Sequence, residues 1–169
     1  MIVAGADGFL KSQYRMFNIK SAAGKNSDDF GMMREVMMRR FERLLKEDPG
    51  RTSGSWPDLL LIDGGAGQIS AVGGILAEIG IDDIAMVGVA KGVARKAGDE
   101  TLILPDGRHL KPGADSPALQ LVQQVRDEAH RFAITGHRGR RQKARDTSKL
   151  EDIEGIGAKR RASLLKHFG

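Results

Sequence analysis

The chain has 169 residues, 40% of them hydrophobic but only 5% aromatic, a scale that suits one domain with a small appendage and an aliphatic, methionine-rich core. The absence of cysteine excludes disulfides and thiolate chemistry and fits a reducing cytoplasm; no apolar run approaches the ~20 residues that span a bilayer, and the first residues do not read as a signal peptide. The net charge of +5 is uneven, since residues 126–169 hold 12 Lys and Arg against 6 Asp and Glu while the other 125 residues hold 15 against 16. A basic end of that kind suits a polyanion, or is simply a solvated tail.

In chain order, residues 1–4 and 9–19 read as extended arms around Gly5-Ala6-Asp7-Gly8, a hairpin signal. Neither face of the second arm is cleanly apolar: Phe9, Lys11, Gln13, Arg15, Phe17 and Ile19 alternate with Leu10, Tyr14 and Met16. Ser27 or Asp28 then caps a helix in which Phe30, Met33, Met37, Phe41, Leu44 and Leu45 recur at helical spacing, until Asp48-Pro49-Gly50 stops it. Asp28 and Asp29 stand in its first turn, where carboxylates are favoured as caps alone. Next comes the stretch LLLIDGGAGQ (59–68), whose four apolar residues predict a short strand buried on both faces of a parallel sheet. Asp63 ends that strand beside Gly64, Gly65 and Gly67; it is either a ligand-edge acid of an α/β sheet or a helix cap. The glycines do not complete a dinucleotide fingerprint, because Ser70 stands where the third is required.

Ile69, Val72, Leu76 and Ile79 predict an amphipathic helix that Gly80 closes in a left-handed turn, and 84–90 predicts a second buried strand parallel to the first. Lys91 follows on the same sheet edge as Asp63, either meeting a phosphate or solvated. Residues 101–104 and 108–110 flank Pro105-Asp106-Gly107 as a second hairpin. Ser116-Pro117 opens a third helix with Leu119, Val122, Val125, Ala129 and Phe132 toward the core and His130 near Asp127 on a neighbouring face. The helix is expected to give way to a basic linker over 137–149, carrying Arg138, Arg140, Arg141, Lys143 and Arg145. Finally Gly155-Ile156-Gly157 precedes Lys159, Arg160 and Arg161 and an apolar helix. That is a helix-hairpin-helix pattern whose turn amides approach DNA phosphates, or else a plain αα-hairpin.

Taken together, QYR-MFNI (13–19), DDF with Met33-Arg34 (28–34), PDLLLIDGGAGQ (57–68) and DSPALQLVQQVRDEAHRFAITGHR (115–138) resemble the C-terminal half of UvrC, the incision endonuclease family of bacterial nucleotide excision repair. The tail TSKLEDIEGIGAKRRASLLKHFG resembles the first of that family's paired helix-hairpin-helix motifs. The resemblance implies an α/β fold: an RNase H-like mixed sheet of five strands with flanking helices over 1–136, the basic linker 137–149, and a partial helix-hairpin-helix at 150–169. It further implies divalent-metal-dependent hydrolysis of a DNA phosphodiester on the 5′ side of a lesion. Asp63, Asp29 and His130 would then be metal ligands, His130 being ligand or base, and Lys91 would complete the catalytic set. Mg²⁺ or Mn²⁺ suits carboxylate oxygens and waters. Arg138, Arg140, Arg141, Lys143, Arg145, Gly155, Gly157, Lys159, Arg160 and Arg161 would bind damaged double-stranded DNA, and a UvrB helicase subunit would be met by a region outside these residues.

Two departures accompany the resemblance. The family's first catalytic aspartate belongs to a central strand expected just upstream of Met1, which makes this chain an expected N-terminally truncated piece with one strand fewer; Asp7, in the hairpin turn, does not replace it. Ala66 stands where the family commonly has lysine. An alternative function follows, a DNA-binding module with an incomplete active site. A phosphate- or nucleotide-binding α/β enzyme would explain the glycines after Asp63 but neither His130 nor the basic tail.

Overall fold

The computed structural model describes residues 1–19, 29–90, 99–146 and 157–168. Its elements are β1 (Ala4–Gly5), β2 (Gly8–Phe9), α1 (Asp29–Glu47), β3 (Leu59–Asp63), α2 (Ala66–Glu78), β4 (Ala85–Ala90), β5 (Thr101–Ile103), β6 (His109–Leu110), α3 (Pro117–Asp146) and α4 (Ala158–Phe168). β3 to β6 form one sheet in the order β3-β4-β5-β6, with β3 parallel to β4 and the other pairs antiparallel. This mixed α/β arrangement agrees with the RNase H-like expectation.

The first hairpin exists but is much shorter than the alternation suggests. Ala4 pairs with Phe9 and Gly5 with Gly8, and a 3₁₀ turn at Lys11–Gln13 then interrupts the second arm. Pairing resumes at Met1 and Arg15, whose backbones exchange hydrogen bonds of 3.0 and 3.1 Å. Phe9 and Leu10 remain exposed, so no apolar face holds a longer ribbon flat. β1 and β2 stay apart from the main sheet, which has four strands among the described residues.

Sheet alternation sorts the side chains into two layers. Ile62, Gly88 and Ile103 are register partners across β3, β4 and β5, and Ile62 and Ile103 pack in the core with Met37, Phe41 and Leu44 of α1 and Ile69, Val72, Ile75 and Leu76 of α2. Gly88 is a contact point in that layer. A Cβ there would stand 2.6 Å from Ile69 Cδ1 and 2.8 Å from the Gly64 carbonyl oxygen, so only glycine lets the start of α2 lie this close to β4. The next row, Asp63, Val89 and Leu102, faces the other way. Val89 is buried in that row, and α3 contributes the buried Leu119 and Val122 outside the α1/α2 cluster.

β3 departs from the expected strand buried on both faces. Only Ile62 is buried, and Leu59 is 46% exposed. The reason is position: β3 ends the sheet, with β4 as its one partner among the described residues. An uninterrupted apolar run cannot distinguish an edge strand from a central one.

The expected Ser27 or Asp28 cap before α1 lies outside the described residues, while the other expected stops and starts hold. α2 ends at Glu78 and Gly80, φ 75°, turns the chain away from it, while the chain after α1 is organised by Asp48. That buried carboxylate accepts from the Thr52 and Ser53 backbone N–H groups at 2.8 and 3.1 Å and from the Ser53 hydroxyl at 2.7 Å, and Trp56 Nε1 donates to its carbonyl. α3, however, does not give way at residue 137. It continues as one 30-residue helix to Asp146, so 137–146 is helical backbone and not an irregular linker. The residues of that run, rich in Arg, Gln, Lys and Ala, are good helix formers even without an apolar face.

Candidate active site

Asp63 is the last residue of β3 and is held there by its neighbours. Gly64 N–H extends the ladder to the Val89 carbonyl at 3.2 Å, and the Gln68 side chain folds back so that its Oε1 accepts from Gly65 N–H at 3.0 Å. α2 begins one residue later, so its positive N-terminal end lies beside the strand end. By alternation the Asp63 side chain faces the α3 layer.

His130 meets it there. Its Nε2 lies 3.0 Å from Asp63 Oδ2, joining residues 67 apart in sequence, and both side chains are about half exposed. A carboxylate accepts and does not donate, so the proton of this bond is on His130 Nε2. Asp63 thereby fixes the tautomer and the ring plane, while half-exposure leaves the pair open to a substrate.

Two further groups of contacts seat α3, and sequence reading passed over both. Tyr14 OH donates to Glu128 Oε1 at 3.0 Å, Arg131 holds the same carboxylate through two hydrogen bonds of 2.7 Å, and the Tyr14 ring meets Phe132 edge-on at 5.1 Å. The Arg131 hydrogen bond, and after it the Tyr14 bond, hold Glu128 below the usual carboxylate range against the opposing effect of partial burial. Partial burial first, then the bond to Glu128, raises the Tyr14 hydroxyl. On the other side, Glu100 accepts from Gln123 Nε2 at 2.8 Å and from Arg126 Nη1 at 2.9 Å. The only sequence signal for these was position: Tyr14, Arg126 and Glu128 all lie inside the motifs quoted above.

Asp29 does not join Asp63 and His130. It is the exposed first residue of α1, and no group of three His, Asp or Glu among the described residues is placed to hold a metal. The layers explain the difference: α1 packs on the α2 side of the sheet, whereas Asp63 faces α3. Phe30 does bring the start of α1 near the first turn of α2, since a Cβ on Gly67 would lie 3.9 Å from its ring. Lys91 and Gly155 fall outside the described residues. Arg138, Arg140, Arg141, Lys143 and Arg145 lie on the C-terminal part of α3, Gly157 is exposed just before α4, and Lys159 and Arg160 are exposed in its first turn, with Arg161 following.

One carboxylate and one imidazole cannot cage a hard divalent cation, which takes about six donors. They do fit an open site of the kind Mg²⁺ prefers, where one or two carboxylates are completed by waters and substrate phosphates.

Comparison with known proteins decides the family. A model of the UvrC RNase H endonuclease domain matches residues 1–134. The chain belongs to the UvrC family. It is 59% identical over its whole length to UvrABC system protein C of Cereibacter sphaeroides, covering 27% of that protein. Over 168 residues, 99% of the chain, it is 60% identical to UvrABC system protein C of Stenotrophomonas maltophilia and 61% identical to that of Xanthomonas campestris pv. campestris, covering 26% of each. The chain thus spans about a quarter of the length of these UvrC relatives. Its RNase H-like region is the part that carries Asp63 and His130. No helix among the described residues is long and apolar enough to cross a membrane.

Proposed function

We propose that this chain is the incision region of a nucleotide excision repair endonuclease, hydrolysing a DNA phosphodiester on the 5′ side of a lesion in the cytoplasm. The observation that carries the reading is the 3.0 Å contact between Asp63 at the strand end and His130 on α3. With its Nε2 proton engaged by Asp63, a neutral His130 presents its Nδ1 lone pair, suited to take a proton from an attacking water. Asp63 would hold Mg²⁺ or Mn²⁺ in an open site completed by waters and substrate phosphate oxygens. When bound, that cation supplies Lewis acidity, drawing charge off the phosphate and making water more acidic. Lys91, next in sequence after β4, would steady charge developing on the phosphate. The basic half of α3 and the turn leading into α4, read as a helix-hairpin-helix, would grip the DNA backbone, and a UvrB helicase subunit would bring the lesion.

The alternative, a DNA-binding module that cuts nothing, draws on the shortage of ligands around Asp63 among the described residues. Nicking of a lesion-bearing duplex with Mn²⁺ separates the two. The full-length protein containing this chain is expected to nick, and His130→Gln to slow it by about 10²- to 10⁴-fold, the usual worth of a general base. Asp63→Asn should be at least as damaging. Nicking that survives both substitutions would refute the reading.

A further inference from the structure

We propose that Glu100 is a positioning residue for this reaction, the anchor that sets α3 so that His130 reaches Asp63. The inference rests on the functional reading of the Asp63–His130 pair and extends it to a residue that touches neither. Glu100 is 3% exposed, and both of its carboxylate oxygens are engaged from α3: Oε2 by Gln123 at 2.8 Å and Oε1 by Arg126 at 2.9 Å. Arg126 is itself only 16% exposed, so the ion pair is shielded from water, unlike the surface pairs elsewhere in the molecule.

Sheet and helix geometry make the anchor and the site two ends of one clamp. Glu100 directly precedes β5, whose first residue Thr101 pairs with Ala90 at the end of β4, next to the Val89 that pairs with Asp63. Two residues before Leu102, Glu100 shares that side chain's parity and so faces α3, as Asp63 does. β3 and β5 are separated by two strand spacings, about 9.6 Å, and Glu100 stands two residues along the strand from the Asp63 row, which makes the span between the two positions about 12 Å. On α3, Gln123, Arg126 and His130 follow at i, i+3 and i+7 and share one face; two turns from Gln123 to His130 advance about 10.5 Å. The two spans agree to within about 2 Å, so α3 bridges the strand ends with one polar contact at each. Between them the helix can neither roll nor slide without breaking one. A misplacement of about 1 Å at reacting groups costs on the order of 100-fold in rate, which is the scale of error this anchor prevents.

The test uses labelled histidine in this chain and incision by the full-length protein. Nitrogen-15 spectra, with His130 assigned by His130→Gln, report whether Nε2–H is hydrogen-bonded. Glu100→Gln keeps the shape of the side chain and Glu100→Ala removes it; both are expected to shift the His130 Nε2 signal toward that of a free imidazole, Glu100→Ala further. Arg34→Ala, which breaks the Arg34–Glu78 pair between α1 and α2, is the control for mere loss of stability and should leave that signal in place. In the full-length protein, Glu100→Ala should lower kcat for incision by about 10- to 100-fold with the half-saturating DNA concentration unchanged. An unmoved His130 signal in both Glu100 variants would overturn the proposal, as would an equal shift in Arg34→Ala. A shifted signal with undiminished incision would instead support the clamp and refute the role of His130 in the reaction.

Discussion

Replacing Gly88 by alanine is the sharpest small perturbation of the site that the fold offers. The added Cβ would meet Ile69 Cδ1 at 2.6 Å and the Gly64 carbonyl oxygen at 2.8 Å. Contact becomes ordinary near 3.4 Å, so the isoleucine end must retreat by about 0.8 Å and the carbonyl by about 0.6 Å. Ile69 can rotate, but Gly64 is backbone, bonded to the residue that carries the site. A shift of that size carried into Asp63 would stretch its 3.0 Å contact with His130 toward 3.6 Å, where no hydrogen bond remains. Overpacking of this kind costs about 1–3 kcal/mol, and removing glycine from the unfolded chain returns about 0.4–1 kcal/mol, leaving a net loss of about 1–2 kcal/mol. For a chain of this length Tm should fall by about 2–8 °C. Thermal unfolding followed by far-UV circular dichroism measures that loss, and the His130 nitrogen-15 signal of the same sample measures the displaced pair. A Gly88→Ala protein with unaltered Tm and an unaltered His130 signal would show that the strand end has slack, and the close-packing argument would fail.

Acid stability and salt dependence give two further expectations. The Ser53 hydroxyl foremost, then the Thr52 and Ser53 backbone N–H groups, hold Asp48 below the usual carboxylate range despite its partial burial. Because the folded pKa is depressed, its stabilisation is complete above the ordinary value of about 3.9 and disappears as pH falls through the lowered folded value. Asp48→Ala should flatten the acid limb of stability against pH, and an acid transition identical to the parent's would contradict this. If about five basic side chains meet phosphates, binding of a bubble duplex should fall with log salt at a slope near −4 to −5. Deletion after Gly136 should make the slope markedly shallower, and an unchanged slope would mean the tail is solvated.

Local chemistry was readable where it depends on near neighbours. Gly80 ending α2, Ser116-Pro117 opening α3 and Pro105-Asp106-Gly107 turning the second hairpin each follow from one residue's backbone preference, and each is where it was expected. What depends on distant partners was not. LLLI reads as a strand but does not reveal that β3 has one neighbour, so its expected burial was too deep. The basic run was read as irregular because it lacks an apolar face, although its residues individually favour helix. Asp63 and His130 are 67 residues apart; the strand-end position marked Asp63, but only the family motifs paired it with His130 before the fold joined them. Asp29 shows the converse: the motif named it, but the sheet separates its layer from the one Asp63 faces. Glu100 carried no signal, since a lone glutamate before a strand looks like any solvated one.

The unbroken course of α3 makes the chain a lever. From His130 to Asp146 there is no hinge, so about 24 Å of helix at 1.5 Å per residue runs from the Asp63 contact to the end of the basic segment. Whatever takes hold of that segment applies torque to the imidazole. The Glu100 anchor and the Tyr14–Glu128 bond act as the fulcrum against which it turns. Linkage then works in both directions: if gripping DNA tightens the Asp63–His130 contact, strengthening that contact must raise the affinity for DNA by the same factor. Inserting a flexible joint after Gly136 would uncouple the two without altering either end.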